Sequence, residues 1–174
     1  MKKIILIVGA SGVGKDTILR TIEDKINANF VKRYITRVPD SNESNFYLDI
    51  DAFKTLKEKE YFISSWEAHG NFYAIARDHI KDGVNIISIS RGAIEDFENV
   101  FDDVTTVYIT IPKELLIKRL HSRGRENMDQ IIQRVDRSNQ KIVAKKLVEF
   151  DNSSRIETSI ENFISLILSI QNEK

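Results

Sequence analysis

Short apolar runs alternate with amphipathic stretches along most of the chain. The run 4–8 (IILIV) predicts a buried strand over 3–8, and the spacing that follows predicts a helix from Lys15 to about Ile26. Because strands buried on both faces of a parallel sheet are apolar throughout, this alternation predicts an α/β fold with a parallel sheet flanked by helices. Further strands are predicted over 30–35, 84–90, 104–111 and 147–150, and further helices from about 92 and over 112–122, 128–145 and 154–170.

The alternation is interrupted between residues 33 and 76. Two strand-like segments, 61–68 and 71–76, flank His69-Gly70 and predict a hairpin. Asp51 is predicted as the N-cap of a short helix that runs through Lys59. The region therefore predicts a small inserted lobe within one domain. The predicted domain spans 1–174, its core comprises 1–32 and 77–174, and the lobe spans 33–76.

Composition narrows the functional classes. A hydrophobic fraction of 41% and only two prolines indicate a packed core, and a net charge of zero gives no overall attraction to nucleic acid or to an anionic membrane. With no cysteine, disulfides, zinc thiolate sites and cysteine nucleophiles are excluded. His69, His79 and His121 lack metal-ligand spacing. We expect a cytoplasmic enzyme with a small-molecule substrate and no nucleic-acid or membrane partner; the pattern predicts no oligomeric state.

The segment after the first strand, 9–17 (GASGVGKDT), carries the strongest chemical signal. A glycine-rich turn between a strand and a helix can wrap its backbone N–H groups around phosphate oxygens, and the helix N-terminus favours negative charge. Lys15 adds a point charge for the outer phosphates. A purely structural glycine turn is the alternative. The predicted nucleotide-phosphate site, here called the phosphate loop, comprises Gly9, Ala10, Ser11, Gly12, Val13, Gly14, Lys15, Asp16 and Thr17.

Asp16 occupies the position where the common form of this motif has a serine or threonine that binds magnesium. Thr17 supplies a hydroxyl one residue later, and a carboxylate oxygen also suits a hard cation. We therefore predict Mg²⁺ near Asp16 or Thr17. The alternative for Asp16 is an acidic residue that only stabilises the first helical turn.

Arginines form three groups outside the phosphate loop, and phosphoryl transfer needs such cations around the transferred group. Arg33 and Arg37 begin the predicted lobe, and Arg91 follows a strand end at Ser90. A third group surrounds Gly124 and predicts a closing lid over 119–137. This group comprises Arg119, Arg123, Arg125, Arg134 and Arg137, which could instead be solvated surface charges.

Three of the aromatic residues on the predicted hairpin are Trp66, Phe72 and Tyr73. They could line a substrate pocket. Aromatic residues beside a hairpin are also typical of a core, and the pattern leaves both alternatives open.

The motifs together resemble the guanylate-kinase-like branch of the nucleoside monophosphate kinases. The phosphate loop, Arg33-x3-Arg37, Gly70-Asn71-x-Tyr73 and Arg119-x3-Arg123-Gly124 occur in that order. The resemblance implies a P-loop nucleoside monophosphate kinase fold. Guanylate kinases, however, read the base with a glutamate and a serine at the positions of Ser64 and Ala76, so a guanine pocket is not expected here.

The chain is more similar to the ribose 1,5-bisphosphate phosphokinase family of phosphonate catabolism. The matching stretches are Gly14-Lys15-Asp16, 33–37 (RYITR), Ser65-Trp66-x-Ala68, Ser90-Arg91 and 123–127 (RGREN). This resemblance implies that ATP, with Mg²⁺, donates its γ-phosphoryl group to the 1-phosphate of ribose 1,5-bisphosphate, giving 5-phosphoribosyl 1-diphosphate. Departures are Ala74, where the family has glycine, and the turn 151–153.

The implied roles fall into two groups. Lys15, Arg119, Arg123 and Arg134 stabilise the transferring group, and Arg33, Arg37, Tyr73, Ser90 and Arg91 bind the acceptor. Two alternatives remain open. One is a guanylate kinase or another nucleoside monophosphate kinase, and the other is a non-catalytic guanylate-kinase-like binding module, against which the presence of Lys15 argues.

Overall fold

A computed structural model describes residues 1–39, 45–68, 70–122, 124, 127–138 and 141–173. The strands are β1 (Lys2–Val8), β2 (Asn29–Val31), β3 (Tyr34–Ile35), β4 (Phe46–Tyr47), β5 (Phe62–Ala68), β6 (Asn71–Ala76), β7 (Gly83–Ser88), β8 (Val104–Thr110) and β9 (Leu147–Asp151). The helices are α1 (Lys15–Ile22), α2 (Ile50–Glu58), α3 (Ile94–Glu98), α4 (Lys113–Ser122), α5 (Met128–Ser138) and α6 (Ile156–Asn172), with 3₁₀ turns at Arg77–His79 and Arg91–Ala93.

The predicted parallel sheet is confirmed. Within the described ranges it has five strands in the order β2-β7-β1-β8-β9, and it is called the large sheet below. All residues of β1 after Lys2 are buried, as the continuous apolar run predicted. Burial on both faces explains why this strand lacks the alternation of a surface strand.

A second sheet follows the predicted hairpin. In the described part of the chain it has four strands in the order β4-β3-β6-β5, and it is called the small sheet. Strands β5 and β6 pair antiparallel, with Trp66 opposite Tyr73, and β3 pairs antiparallel with β6. One face packs a core in which Phe53 of α2 contacts Phe62 and Phe72.

The chain forms two compact units. The first comprises residues 1–6 and 28–104 and contains the small sheet; the second comprises residues 7–27 and 105–174 and contains the phosphate loop. The division into a core, a lobe over 33–76 and a lid over 119–137 stays a prediction.

Two local predictions were wrong in the first unit. The segment predicted as one strand over 30–35 is two short strands, because β2 pairs with β7 of the large sheet and β3 with β6 of the small sheet. The N-cap of α2 is Asp49, whose carboxylate accepts a 2.8 Å hydrogen bond from the Ala52 amide. Asp51 lies inside the first turn, where a negative charge still complements the helix dipole.

Two helices are shorter than the apolar spacing predicted. Helix α1 ends at Ile22, where the next turn is closed by a hydrogen bond from the Lys25 amide to the Ile22 carbonyl. Helix α5 ends at Ser138, and residues 141–146 are not helical. The Lys146 carbonyl accepts from the Thr106 amide, so residue 146 already takes part in the pairing that leads into β9. No helix in the described ranges has the length and apolar content needed to cross a membrane.

Candidate active site

The phosphate loop joins β1 to α1 and places Lys15 at the first position of the helix. The Lys15 ammonium group folds back and donates to the carbonyl oxygens of Gly9 and Ala10, at 2.6 and 3.0 Å. These contacts hold the charge at the loop. A phosphate bound by the loop would offer the same ammonium group a stronger, negatively charged acceptor.

Gly12 and Gly14 give the loop its shape. Their φ angles are +99° and +100°, in the left-handed region where a side chain is strained. A Cβ on Gly12 would lie 2.8 Å from Leu120 Cδ2, and one on Gly14 would lie 2.7 Å from Asn152 Nδ2. The two glycines are therefore required both by backbone conformation and by the close packing of α4 and the β9 end against the loop.

Arg119 contacts the phosphate loop in this structure. Its Nη1 donates to the Val13 carbonyl at 3.1 Å, and its Nη2 donates to the Asn152 carbonyl at 3.1 Å. The Asn152 side chain donates to the same Val13 carbonyl at 2.7 Å. The predicted role of Arg119 in stabilising the transferring group stays a prediction, and these two hydrogen bonds are to backbone carbonyls.

A cavity of about 430 Å³ lies beside the loop in the second unit. This volume falls in the range of small-ligand sites. Its walls combine glycine backbone, apolar side chains and cations. The lining residues are Gly12, Gly14, Thr17, Leu115, Lys118, Arg119, Ser122, Asn152 and Ile156.

Asp16 and Thr17 lie in the first turn of α1, and both side chains are exposed. Among the described residues no group of three or more histidine, cysteine, aspartate or glutamate side chains could hold a metal ion. Mg²⁺ needs few protein ligands, since it is commonly bound by one or two oxygens of the protein together with phosphate oxygens and waters. The exposed hydroxyl and carboxylate of these two residues fit that kind of site.

The first unit brings together three of the residues singled out in the sequence. The rings of Trp66 and Tyr73 are stacked, with centroids 5.8 Å apart and planes 8° from parallel. The guanidinium carbon of Arg33 lies 5.8 Å from the Tyr73 ring centroid, and its Nε donates to Asn45 Oδ1 at 3.3 Å. The cation–π contact with Tyr73 and the Asn45 bond orient the Arg33 guanidinium, which is the group that binds phosphate with two parallel hydrogen bonds.

Strand alternation separates the aromatic residues of the hairpin. Phe72 points into the core formed with Phe53 and Phe62, whereas its neighbour Tyr73 stacks with Trp66. The two alternatives, a core and a substrate pocket, therefore apply to different faces of the hairpin. Phe72 belongs to the core, and Trp66 and Tyr73 form a platform beside Arg33 on the other face.

Ser64 and Ala76, at the positions where guanylate kinases read the base, have surroundings unlike those of a base pocket. Ser64 is 4% exposed and donates a 2.5 Å hydrogen bond to Asp96 Oδ2 on α3, while Ala76 is completely buried. The Ser64 hydroxyl therefore ties β5 to α3, and Ala76 contributes only to the core of the small sheet.

The other predicted acceptor residues lie in the same unit. Arg37 donates to the Val38 carbonyl at 3.4 Å. Ser90 and Arg91 follow the carboxyl end of β7, where Ser90 stands at the N-cap position of the 3₁₀ turn that Arg91 begins and makes no side-chain capping hydrogen bond. Ligands of open α/β sheets bind outside the carboxyl ends of the strands, which agrees with the place of this pair.

Part of the arginine group lies outside the described residues. Arg123 and Arg125 are not described, and neither are the side chains of Arg134 and Arg137. His69 is also outside the described ranges. Gly124 has a φ of +63°, and its amide donates to the His121 carbonyl, so the chain turns sharply after α4. The lid residues beyond Arg119 stay predictions.

The hydroxyl of Tyr61 has a clear electrostatic perturbation. Its hydroxyl donates to Asp78 Oδ2 at 2.8 Å, and this hydrogen bond raises the pKa of Tyr61 well above its ordinary range. Contact with Tyr34 adds to the effect. The Tyr61 hydroxyl therefore stays protonated, and its hydrogen bond connects the start of the hairpin to the turn at 77–79.

Comparison with known proteins identifies the family. A family model described as AAA domain matches residues 5–155. Ribose 1,5-bisphosphate phosphokinase PhnN of Desulfomicrobium baculatum is 33% identical over 97% of this chain and 95% of its own length. The enzyme of the same name from Agrobacterium fabrum is 32% identical, covering 94% of each chain. The chain belongs to the ribose 1,5-bisphosphate phosphokinase family. It is therefore an ATP-dependent kinase, as predicted.

A solved structure supports the same fold. Guanylate kinase of Anaplasma phagocytophilum aligns with a TM-score of 0.68 over 99% of this chain and 88% of that one, at 17% identity. At this identity the likeness shows the fold alone. The predicted guanylate-kinase-like P-loop fold is confirmed.

Sequence reasoning did not assign roles to Asn152, Asp96 and Asn45. Asn152 was noted only as part of a turn, although an asparagine between a strand end and a helix start often bonds nearby backbone. Asp96 and Asn45 lie 32 and 12 residues from the partners they contact, Ser64 and Arg33. No local pattern links residues that far apart.

Proposed function

We propose that this kinase transfers the γ-phosphoryl group of ATP to the 1-phosphate of ribose 1,5-bisphosphate, giving 5-phosphoribosyl 1-diphosphate and ADP. An oxygen of the 1-phosphate attacks the γ-phosphorus, and the bond from that phosphorus to the β–γ bridging oxygen breaks. The acceptor is already ionised, so no side chain has to remove a proton. Such a reaction depends on positioning and on cations around the transferred group.

The donor half of the reaction is assigned to the phosphate loop. Lys15 and the backbone of residues 12–17 would hold the ATP phosphates, and Asp16 or Thr17 would bind the Mg²⁺ that neutralises them. The ion supplies charge stabilisation when bound. Arg119, Arg123 and Arg134 are proposed to approach the transferring group. The supply of ATP leads us to expect a cytoplasmic location.

The acceptor half is assigned to Arg33, Arg37, Tyr73, Ser90 and Arg91. The observation that carries the choice of acceptor is the Trp66–Tyr73–Arg33 arrangement, in a small sheet whose two expected base-reading positions hold Ser64 and Ala76. Ser64 is committed to Asp96, and Ala76 is buried. A guanidinium oriented by a cation–π contact suits a sugar carrying two phosphates, which has no base to read.

A panel of acceptors tests the proposal. ADP release would be measured with ribose 1,5-bisphosphate, ribose 5-phosphate, GMP, AMP and UMP, and the product would be examined by ³¹P NMR for a diphosphate. We expect kcat/KM for ribose 1,5-bisphosphate to exceed that for GMP by about 100-fold, because guanine would leave its polar edge unpaired. Ribose 5-phosphate should give no turnover, since it lacks the attacking phosphate. A preference for GMP would contradict the proposal and favour the nucleoside monophosphate kinase alternative.

A further inference from the structure

The carbonyl of Val13 is held by two side chains from distant parts of the second unit. Asn152 Nδ2 donates to it at 2.7 Å and Arg119 Nη1 at 3.1 Å. Arg119 Nη2 also donates to the backbone carbonyl of Asn152 at 3.1 Å. Arg119 and Asn152, here called the Val13 clamp, therefore form a closed set of hydrogen bonds around one peptide of the phosphate loop.

Asn152 is itself fixed by the large sheet. It directly follows β9, its amide donates to the Thr110 carbonyl at 2.8 Å, and only 3% of the residue is exposed. The side-chain amide is therefore delivered to the loop from a rigid strand end. A buried amide that lost its partner would carry an unsatisfied donor, which makes this contact costly to break.

Fixing a carbonyl also fixes the N–H on the other side of the same peptide. In a planar trans peptide the C=O and N–H bonds point in opposite directions, so directing the Val13 carbonyl toward Asn152 directs the Gly14 N–H away from it. Glycine at position 14 is needed for its φ of +100°, but the same freedom makes rotation of this peptide easy. A rotated peptide would turn a carbonyl oxygen, instead of an N–H group, toward a bound phosphate.

We propose that Asn152 and Arg119 are positioning residues that keep the Gly14 N–H directed for phosphate binding. This inference rests on the proposed role of the phosphate loop as the ATP-phosphate site. The clamp acts through the loop backbone, so its loss should weaken any ligand that binds through phosphates, with or without a nucleoside.

The test compares Asn152→Ala with its exposed neighbour Ser153→Ala, using titration calorimetry with ATP and with inorganic tripolyphosphate, each with Mg²⁺. Asn152→Ala should weaken both ligands by a similar factor of about 10, and the KM for the sugar acceptor should change less than about 2-fold. Ser153→Ala should match the wild type, and circular dichroism checks that both variants are folded. Weakening of ATP alone would overturn the inference, because it would indicate contact with the nucleoside.

A double-mutant cycle tests whether the two side chains act on one carbonyl. Arg119→Lys keeps the charge but cannot span both carbonyls, so we expect about a 5-fold loss of tripolyphosphate affinity. Combined with Asn152→Ala, the loss should be smaller than the product of the single losses. A combined loss of affinity equal to the product of the two single losses would contradict a shared role. If Asn152→Ala does not fold, Asn152→Ser, whose shorter side chain cannot reach the Val13 carbonyl, takes its place with tripolyphosphate, and unchanged affinity would overturn the inference. Failure of the wild type to bind either ligand would instead contradict the proposed function.

Discussion

The two proposed phosphate sites, the phosphate loop and the small sheet, are built in different ways. In the loop the proposed phosphate-binding groups are backbone amides and Lys15, which are contiguous in sequence and are shaped by Gly12 and Gly14. In the small sheet the proposed group is the Arg33 guanidinium, which contacts Tyr73 and Asn45 from other parts of the chain. The binding groups of the first site are contiguous in sequence, and those of the second are brought together by the fold.

The difference suggests how the reaction class and the acceptor can change separately. A backbone site binds the phosphates that all nucleoside triphosphates share, so it carries little information about the acceptor. In this chain Ser64 and Ala76 provide no base-reading groups, while the Trp66–Tyr73 platform supports an arginine.

The largest expected effect comes from removing the charge of the phosphate loop. Lys15→Ala should reduce kcat/KM by roughly 10²- to 10³-fold, because a preorganised cation at the transferred group is lost. The measurement is coupled ADP release with ribose 1,5-bisphosphate. Lys25→Ala, which removes an exposed lysine just after α1, is the matched control and should retain wild-type turnover. Full turnover by Lys15→Ala would contradict the kinase site assigned here.

A smaller and more selective effect is expected in the small sheet. Arg33→Lys should raise the KM for the sugar acceptor by about 10- to 100-fold and leave the KM for ATP nearly unchanged, because lysine cannot bind a phosphate with two parallel hydrogen bonds or stack equally well on Tyr73. Trp66, the one tryptophan of the chain, provides a fluorescence signal for acceptor binding.

Arg77→Lys is the control for this prediction, since Arg77 is an exposed arginine of the same unit whose Nε contacts the Glu60 carbonyl. It should leave both KM values unchanged. If Arg33→Lys raised the KM for ATP and left the KM for the acceptor unchanged, the assignment of Arg33 to the acceptor would be wrong.

The smallest effect on activity is expected at Ser64. Ser64→Ala removes the hydrogen bond to Asp96 and should lower the free energy of unfolding by about 1 kcal/mol, measured by urea denaturation. The kcat/KM for each acceptor should stay within about 2-fold of the wild type, because Ser64 joins β5 to α3. A large loss of acceptor binding with unchanged stability would show that Ser64 contacts the substrate instead.

The sequence predicted the elements that local patterns encode. The buried run of β1, the glycine turn, the start of α1 at Lys15 and the hairpin β5–β6 were all predicted, since apolar period and glycine spacing are local properties. The prediction from sequence was wrong where the course of the chain depends on which distant strand a segment pairs with. The division of 30–35 into β2 and β3 depends on two different sheets, and the end of α5 depends on the pairing of β9 with β8.

By itself, the sequence therefore determined the fold class, the phosphate loop and the family, because these depend on contiguous residues and on motifs in a fixed order. The tertiary structure alone decided how individual side chains are used. It placed the Arg33 guanidinium over the Tyr73 ring, bonded Ser64 to Asp96, and brought Asn152 to a carbonyl 139 positions away. Such contacts arise from strand register and from the packing of strand ends, which no local pattern of polar and apolar residues records.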